Sequence, residues 1–417
     1  MDIDRRNFLK ISAASAAVGV LPGCAGMNQP SGSAKVVVIG AGFGGATTAK
    51  YLRVWGGQTI DVTLIDSRDK FISCPLSNTV LGGLHGMDEL TRSYDGLKKH
   101  GVNLVNDTVV GIDSDARIVK TARSSYRYDR LILSPGIDFM FDQIKGYNPD
   151  SEKILHAWKA GPQTVALKQQ MDGMADGGTV VVSVPMTPYR CPPGPYERVC
   201  MMAHYLKKNK PGSRIIVLDA NQDIVSKKGL FLKMWNETYP GLIEYRPNAR
   251  VISVDEASMT VSTEFDDVKG DVLNVIPPQR AGEVTNMAGV RKGNWCPVQF
   301  RSYESTLRPY IHVIGDATQS TLPKSGHMAN NMGKVCASVV LDLLAGREPE
   351  PVPVIGNTCY SVGSDTSAFH VATVYRYDAA KNEMVAQPGG GVSPAPSERE
   401  AAYAESWATN IWNDMFS

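Results

Sequence analysis

Cysteine is the residue type in this chain best suited to redox chemistry. Two cysteines, Cys191 and Cys200, lie in the proline-rich stretch PYRCPPGPYERVC. A cysteine pair can cycle between a disulfide and two thiols, because a thiolate attacks a disulfide sulfur. The other cysteines beyond the N-terminal segment are Cys74, Cys296, Cys336 and Cys359. These residues alone leave open whether Cys191 pairs with Cys200 or with a more distant cysteine.

The prolines of this stretch bear on that choice. Pro195 suits the first turn of a helix, which leaves Cys191 in the preceding loop and places Cys200 more than one turn inside the helix. A disulfide needs Cα atoms within roughly 7 Å of each other. A proline-stiffened loop makes that approach awkward without excluding it. We expect Cys200 to be a packed, free thiol, and a local bridge to Cys191 is the alternative.

A glycine pattern nearer the N-terminus indicates a dinucleotide site. The segment AKVVVIGAGFGGATTAKYLR predicts a buried strand, a turn containing Gly40, Gly42 and Gly45, and a helix. The first glycine permits the tight turn, the second lets the backbone approach a pyrophosphate, and the third lets helix and strand pack closely. The next strand, DVTLID, ends at Asp66, where a ribose-binding acid is expected.

A second motif decides between FAD and NAD. The strand in IHVIGDAT ends at Gly315 and Asp316 and precedes a helical segment. This arrangement resembles the second FAD motif of flavoproteins with two dinucleotide domains, in which the acid reaches the ribityl chain and the helix N-terminus faces the flavin pyrimidine. The alternative is an ordinary junction with an N-capping aspartate. We predict FAD as the cofactor and Lys324 as a further cofactor-binding residue.

The middle of the chain repeats the strand-helix-strand plan over residues 177–221. In pyridine-nucleotide flavoreductases this second unit begins with its own glycine-rich loop. Here the loop is PMTPYRCPPGPYE, whose prolines remove backbone donors that a pyrophosphate needs. The sequence therefore predicts that NAD(P)H is not the reductant.

The overall charge argues against nucleic-acid binding, and the N-terminus indicates an exported protein. A formal net charge of +1 provides no basic field for nucleic acid. Residues 4–10, DRRNFLK, carry two adjacent arginines before a short apolar run, which is typical of a twin-arginine signal. Cys24, in LPGC, is either a lipid anchor or part of the removed signal. No later apolar run reaches transmembrane length.

The order of the motifs predicts an α/β fold with two Rossmann-like domains of the FAD/NAD-linked disulfide reductase type and a C-terminal α+β interface domain. The predicted segments are a signal and linker at 1–32, the first part of the FAD domain at 33–155, a second Rossmann-like domain with the redox cysteine loop at 156–273, the second part of the FAD domain at 274–346, and the interface domain at 347–417.

Six further segments carry a family resemblance: DKFISCPLSNTV, HAWKAG, RCPPGPYER, PPQRAG, PKSGHMAN and NTCYS. From about Lys35 to its end, the chain resembles the flavoprotein subunit of flavocytochrome c sulfide dehydrogenase. The resemblance implies a periplasmic enzyme that oxidises sulfide to elemental sulfur or polysulfide and passes electrons through FAD to a c-type cytochrome subunit. It also implies a covalent link from Cys74 to the flavin and a redox-active disulfide between Cys191 and Cys359.

Two features of the sequence, Glu197 and the closing helix, each have two interpretations. Glu197 either moves protons during catalysis or stabilises a helix dipole. The chain lacks a C-x-x-C-H motif, so the haem is expected on the partner, and no metal site is predicted. In the closing helix Tyr403, Trp407 and Ile411 share one face; core packing is the preferred interpretation, and a dimer or cytochrome contact is the second.

Two other functions compete with this one. A membrane-associated sulfide:quinone oxidoreductase shares the FAD motifs and cysteine chemistry, but it is expected to end in an apolar or basic amphipathic helix, and this chain does not. A non-catalytic flavin electron carrier is the other alternative. A pure carrier needs no sulfur electrophile, so paired redox cysteines argue against it.

Overall fold

The computed structural model describes residues 33–417. The predicted signal segment and Cys24 lie outside these described residues. The helices are α1 (Phe43–Gly56), α2 (Asp95–Lys99), α3 (Pro162–Gly173), α4 (Gly194–Asn209), α5 (Lys228–Lys233), α6 (Val284–Met287), α7 (Gly326–Leu344) and α8 (Glu398–Phe416).

The strands are short and numerous, as expected for an α/β chain with added antiparallel ribbons. They are β1 (Ala34–Ile39), β2 (Ile60–Asp66), β3 (Lys70–Ile72), β4 (Thr91–Ser93), β5 (Asn103–Asn106), β6 (Val109–Asp113), β7 (Ile118–Thr121), β8 (Ser125–Arg127), β9 (Arg130–Leu133), β10 (Ile137–Phe139), β11 (Ile154–Leu155), β12 (Thr179–Val184), β13 (Arg214–Asp219), β14 (Ile243–Arg246), β15 (Val251–Asp255), β16 (Thr260–Thr263), β17 (Asp267–Lys269), β18 (Val272–Asn274), β19 (Gln279–Ala281), β20 (Val298–Gln299), β21 (Glu304–Ser305), β22 (Ile311–Val313), β23 (Val354–Val362), β24 (Ala368–Asp378), β25 (Glu383–Ala386) and β26 (Gly391–Val392).

The first sheet carries both predicted FAD motifs. Its strand order is β20-β21-β22-β9-β1-β2-β5, and the strands from β22 to β5 are parallel. The last four residues of β1 are buried, as expected of a parallel strand covered on both faces. Because β1 and β22 are parallel, the glycine loop and the Gly315-Asp316 turn meet at the carboxyl edge of the sheet, where α/β folds bind nucleotides.

The second sheet is formed by the middle of the chain. Its parallel strands lie in the order β11-β18-β12-β13-β14. The predicted strand-helix-strand unit is present as β12, α4 and β13, and α4 begins at Gly194 with a proline in its first turn. The loop between β12 and α4 therefore carries Cys191 to the carboxyl edge of this sheet.

The C-terminal elements form an antiparallel sheet, β23-β24-β25 with β26 on β24, and the helix α8. The prediction that Tyr403 packs in the core with Trp407 and Ile411 is wrong for Tyr403, which is 51% exposed. The buried face of α8 consists of Ala404, Ala408, Ile411, Trp412 and Met415. Tyr403 lies outside this buried face and is therefore exposed.

The observed architecture is the predicted α/β class. One cluster of buried apolar side chains runs through the first sheet, the second sheet and the C-terminal elements. Helices α1 and α7 pack so closely beside the first sheet that a Cβ on Gly333 would lie 2.7 Å from the carbonyl oxygen of Gly44. This shared core holds the edges of the three sheets around one cavity.

Candidate functional site

A cavity of about 460 Å³ is bordered by the carboxyl edge of the first sheet, the Cys191 loop and the C-terminal sheet. The predicted site residues that line it are Gly40, Gly42, Asp66, Cys74, Cys191, Glu197, Gly315, Asp316 and Cys359. Of the site residues predicted within 33–417, Gly45 and Lys324 do not line it. One cavity therefore brings together the two FAD motifs and the cysteines implied by the resemblance.

The glycine loop has the backbone geometry that a dinucleotide requires. Gly40 has φ +96°, and a Cβ there would lie 2.3 Å from the Ser134 carbonyl oxygen. A Cβ on Gly45 would lie 1.8 Å from the Gly40 carbonyl oxygen, so only glycine lets α1 start this close to the loop. At Gly42 a Cβ would meet no described atom within 4 Å, because this position faces the cavity. The loop and the first turn of α1 thus form an open cradle for a pyrophosphate.

Asp66 lies beside this cradle at the end of β2. Its Oδ2 accepts a hydrogen bond from the Ala41 amide at 2.6 Å, and Arg68 forms a salt bridge with it at 2.9 Å. Burial opposes ionisation of Asp66, but the hydrogen bonds and charge of Arg68 outweigh burial and hold the carboxyl pKa below its ordinary value. An ionised acid at this position can accept hydrogen bonds from ribose hydroxyls.

Asp316 supplies the second polar contact for a flavin. Its Oδ1 is buried and has no hydrogen-bond partner within the described chain. Burial raises the pKa of this carboxyl, although Arg190 and Lys324 oppose the shift. A buried oxygen without a partner is costly, and a ribityl hydroxyl in the cavity would satisfy it. The start of α7 also lines the cavity through Ser325 and Gly326, so the residues present fit FAD.

Lys324 lies behind the cavity wall. Its Nζ donates to the carbonyl oxygens of Asp316 at 2.7 Å and Thr318 at 2.8 Å. Its own carbonyl accepts a hydrogen bond from the Cys191 amide at 2.7 Å. Lys324 therefore connects the Asp316 turn with the Cys191 loop, and direct contact with the cofactor stays a prediction.

Cys191 and Cys359 lie side by side in the cavity. Both are free thiols in the structure, and they are close enough for each to shift the pKa of the other. Cys359 belongs to β23, whereas Cys191 lies in the loop before α4 with a left-handed φ of 57°. The fold brings both cysteines to one cavity, and the disulfide between them stays a prediction.

The remaining cysteines have different surroundings. Cys200 lies inside α4 and is 0% exposed, and burial raises the pKa of its thiol well above the ordinary value. Cys296 and Cys336 are also buried, and none of these three lines the cavity. Cys74 is partly buried and faces the cavity from the loop after β3. The local arrangement thus places Cys191 next to Cys359 and leaves Cys200 in the core.

Glu197, in the first turn of α4, is buried between this helix and β23. The Val362 amide donates to its Oε1 at 2.8 Å, and Asn78 Nδ2 donates to its Oε2 at 2.8 Å. Burial raises the pKa of the carboxyl, while these hydrogen bonds and the charges of Lys227 and Arg198 partly oppose the rise. Its position beside the thiol pair suits proton exchange, and its place at a helix N-terminus also suits the dipole.

Three polar residues around the cysteines were not predicted from the sequence: Asn78, Arg198 and Lys227. Arg198 is buried and donates to Asn78 Oδ1 at 3.0 Å, which fixes the amide that binds Glu197. Asn78 and Arg198 stand inside the recognised segments CPLSN and PPGPYER, so closer inspection of those motifs could have found them. Lys227 lies in no recognised motif, and only its position in the fold reveals it.

Three family models match different parts of the chain. "Sulfide dehydrogenase [flavocytochrome c] flavoprotein chain, central" matches residues 164–277, "Flavocytochrome c sulphide dehydrogenase, flavin-binding" matches 351–416, and "Pyridine nucleotide-disulphide oxidoreductase" matches 34–181. The sulfide dehydrogenase [flavocytochrome c] flavoprotein chain of Chlorobaculum thiosulfatiphilum is 53% identical over 49 residues, which cover 12% of this chain and 100% of that sequence. The chain belongs to the flavocytochrome c sulfide dehydrogenase flavoprotein family.

More distant similarity extends over most of this flavoprotein chain. The mitochondrial sulfide:quinone oxidoreductase of Dictyostelium discoideum is 21% identical over 317 residues, which span 70% of this chain and 66% of that protein. The sulfide:quinone oxidoreductase structure from Aquifex aeolicus superposes with a TM-score of 0.75 at 19% identity and covers 92% of each chain. At that identity the match shows the fold alone, and it confirms the predicted disulfide-reductase-like class.

Family membership confirms the predicted class of enzyme, a flavoprotein oxidoreductase, and the flavin-binding match supports FAD. A fourth model, for the twin-arginine translocation signal, matches residues 2–22. This match confirms the predicted export by the twin-arginine pathway and supports a periplasmic location. Among the described helices, none combines the length and apolarity needed to cross a membrane.

Proposed function

We propose that this protein oxidises sulfide at a Cys191–Cys359 disulfide and passes the electrons through FAD to a c-type cytochrome. The observation that carries the proposal is the placement of the two thiols next to each other in the cavity that holds both FAD motifs. Family membership supports sulfide as the substrate and a cytochrome subunit as the partner. FAD, when bound, accepts electron pairs and releases electrons singly, as a two-electron donor and a one-electron haem require.

The cysteines perform the sulfur chemistry. Hydrosulfide attacks one sulfur of the disulfide, a new sulfur–sulfur bond forms, and the other cysteine leaves as a thiolate with the electron pair of the broken bond. The attacked cysteine becomes a persulfide. The thiolate then lies in the cavity where the electron acceptor binds. With FAD bound as the electron acceptor, loss of two electrons and one proton would re-form the Cys191–Cys359 disulfide and release the substrate sulfur as elemental sulfur or polysulfide.

Glu197 is the proposed proton acceptor in this cycle. Hydrogen sulfide must lose a proton to become hydrosulfide, and persulfide sulfur must lose another before it leaves. Burial raises the pKa of the Glu197 carboxyl above its ordinary value, and a carboxylate with a raised pKa is a stronger proton acceptor. Asn78 and the Val362 amide hold the carboxylate in place.

Cys74 is the proposed attachment point for the flavin. Its loop follows β3, and its side chain faces the same cavity as Gly42 and Asp316. A covalent link would keep the cofactor from being lost outside the cytoplasm. A buried structural thiol is the competing interpretation, but Cys74 is only partly buried.

We propose that NAD(P)H is not the reductant. In the second Rossmann-like unit, the acid at the ribose-binding position is buried and hydrogen-bonded to other residues of the protein. Asp219 ends β13, and its Oδ2 accepts hydrogen bonds from Tyr196 at 2.7 Å and Tyr245 at 2.9 Å. Asn221 donates to Oδ1 at 2.8 Å through both its amides. Asp219 is 0% exposed. Asp66 lines the cavity, whereas Asp219 is fully buried and does not line it, so the side chain of Asp219 is not accessible to a nucleotide ribose.

Purified, exported protein is assayed for sulfide-dependent reduction of cytochrome c, with and without a co-encoded cytochrome, and for reduction of a quinone. We expect cytochrome reduction in the wild type and its loss in Cys191→Ser and Cys359→Ser. Cys200→Ala is the matched control, because Cys200 is buried outside the cavity. Activity with quinone alone would assign the protein to the sulfide:quinone oxidoreductase function, and a reducible flavin without sulfide turnover would indicate a carrier.

The disulfide itself is tested by alkylating the unreduced protein and mapping its peptides. A crosslinked peptide that joins Cys191 to Cys359, with Cys200 alkylated only after unfolding, supports the pairing. A peptide that joins Cys191 to Cys200 contradicts it.

A further inference from the structure

Lys227 is a buried lysine beside the cysteine pair that the mechanism above does not use. It precedes α5 with φ 54° and is 7% exposed. Its Nζ donates to the Cys359 carbonyl oxygen at 2.9 Å and to Ser361 Oγ at 2.7 Å. The same ammonium lies 5.4 Å from the centre of the Phe369 ring. Lysine is rarely buried without a charged partner, so its position beside β23 calls for a functional explanation.

The charges around the two thiols differ. Lys227 lies against Cys359, where its Nζ donates to the backbone carbonyl oxygen at 2.9 Å. The neighbouring Cys191 thiol and the charge of Lys227 lower the pKa of the Cys359 thiol, whereas burial and Glu197 oppose this shift. The neighbouring Cys359 thiol, burial and the negative charges of Glu197 and Cys74 raise the pKa of Cys191. The ammonium thus favours negative charge on Cys359 over negative charge on Cys191.

Lys227 has the neighbours needed to keep its own charge. Burial lowers the pKa of its ammonium, but Cys359, Glu197, Cys191 and Glu400, when negative, oppose that effect in decreasing order. A thiolate at Cys359 therefore favours the ammonium, and the ammonium favours the thiolate. When the cysteines form a disulfide, Cys359 carries no charge, so the strongest of these negative partners arises only when the disulfide opens.

We propose that Lys227 is a positioning residue that makes Cys359 the leaving thiolate, so that hydrosulfide attacks Cys191. This inference rests on the proposed function and decides which sulfur the substrate attacks. The substrate sulfur bonds to Cys191 Sγ, the bond between Cys191 and Cys359 breaks, and its electron pair stays on Cys359 Sγ. The proton of hydrosulfide stays on the outer persulfide sulfur. Lys227 stabilises the new negative charge without bonding to the substrate.

Wild-type protein provides the first test. After stoichiometric addition of sulfide without an electron acceptor, alkylation and peptide mapping locate the extra sulfur atom. We expect it on Cys191, and an extra sulfur on Cys359 would overturn the inference while leaving the proposed function intact. If neither cysteine gains sulfur and no Cys191–Cys359 crosslink is found, the proposed function fails and the inference fails with it.

Variants of the lysine provide the second test. In fully reduced protein the alkylation rate of each cysteine is followed against pH by mass spectrometry. We expect Cys359 to react at lower pH than Cys191, and Lys227→Met to slow alkylation of Cys359 about tenfold or more near neutral pH, because an adjacent opposite charge shifts a pKa by roughly 1–3 units. Lys227→Arg should restore much of the rate.

Lys228→Met is the matched control, since the Lys228 side chain is 53% exposed and pairs with Asp223. It should leave the profile of Cys359 unchanged. An unchanged Cys359 profile in Lys227→Met, or equal loss in Lys228→Met, would overturn the inference. Should Lys227→Met fold poorly, Ser361→Ala removes one hydrogen-bond acceptor of the ammonium and should shift the Cys359 profile in the same direction by a smaller amount; no shift there would count against the inference.

Discussion

Cys74 lies in the loop after β3 and lines the cavity. We expect the wild-type flavin to remain with the protein after acid denaturation, and we expect Cys74→Ala to release it into the supernatant. The measurement is the flavin absorbance of pellet and supernatant. Cys336→Ala, at a buried site outside the cavity, is the control and should keep the flavin attached. Yellow supernatant from the wild type would show that the link is absent.

Glu197 allows a prediction about the pH dependence of sulfide oxidation. Because burial raises its pKa, the carboxyl becomes ionised only as the pH rises through that raised value. A proton acceptor must be ionised, so wild-type sulfide oxidation should fall on the acid side of this pKa. Glu197→Gln should remove that acid limb from the kcat profile and lower kcat by about 100-fold or more.

Glu237→Gln serves as the control for this experiment, since its side chain is 66% exposed on the surface, and its profile should match the wild type. A Glu197→Gln profile that keeps the wild-type acid limb would assign the ionisation to another group and leave Glu197 with a helix-dipole role.

Among the elements, α8 fixes the segment that carries Cys74. Trp412 Nε1 donates to Ser73 Oγ at 3.0 Å, and the Arg92 guanidinium lies 4.0 Å from the centre of the Trp412 ring. Trp412→Ala removes this contact and a buried ring, so we expect a loss of about 3–5 kcal/mol in the free energy of unfolding. Chemical denaturation followed by circular dichroism measures it. Tyr403→Ala, on the exposed face, should change stability by about 0.5 kcal/mol or less. Equal losses in the two variants would contradict the observed orientation of α8.

The relation between the two Rossmann-like units leads to a prediction for the whole molecule. The first unit keeps an open glycine cradle, whereas the second surrounds Asp219 with Tyr196 and Tyr245. We therefore expect anaerobic mixing with NADH or NADPH to leave the oxidised flavin spectrum unchanged. Sulfide, added to the same sample, should bleach it and so shows that the flavin is competent. Bleaching by either nucleotide within seconds would mean that the second unit still binds a dinucleotide.

Much of the first sheet and its cofactor motifs could be predicted from the residues themselves. The turn at Gly40, the close approach at Gly45 and the start of α4 near Pro195 are requirements of the local backbone, and a local requirement leaves a local pattern in the residues. The cysteines of the family segments, Cys74, Cys191 and Cys359, line one cavity, and their redox and flavin-binding roles stay predictions. The exposed position of Tyr403 was not predictable in this way, because helical spacing identifies several possible faces and the neighbouring elements select one.

What the residues alone determined is therefore the α/β class, the FAD motifs, the export signal and the family. The tertiary structure decided that Cys191 lies beside Cys359 rather than Cys200, that Asp219 is enclosed by tyrosines, and that Lys227 faces Cys359. These contacts join segments that are distant along the chain. They arise only when the second sheet and the C-terminal sheet pack around one core, and no spacing within a single segment records which side chains will then meet.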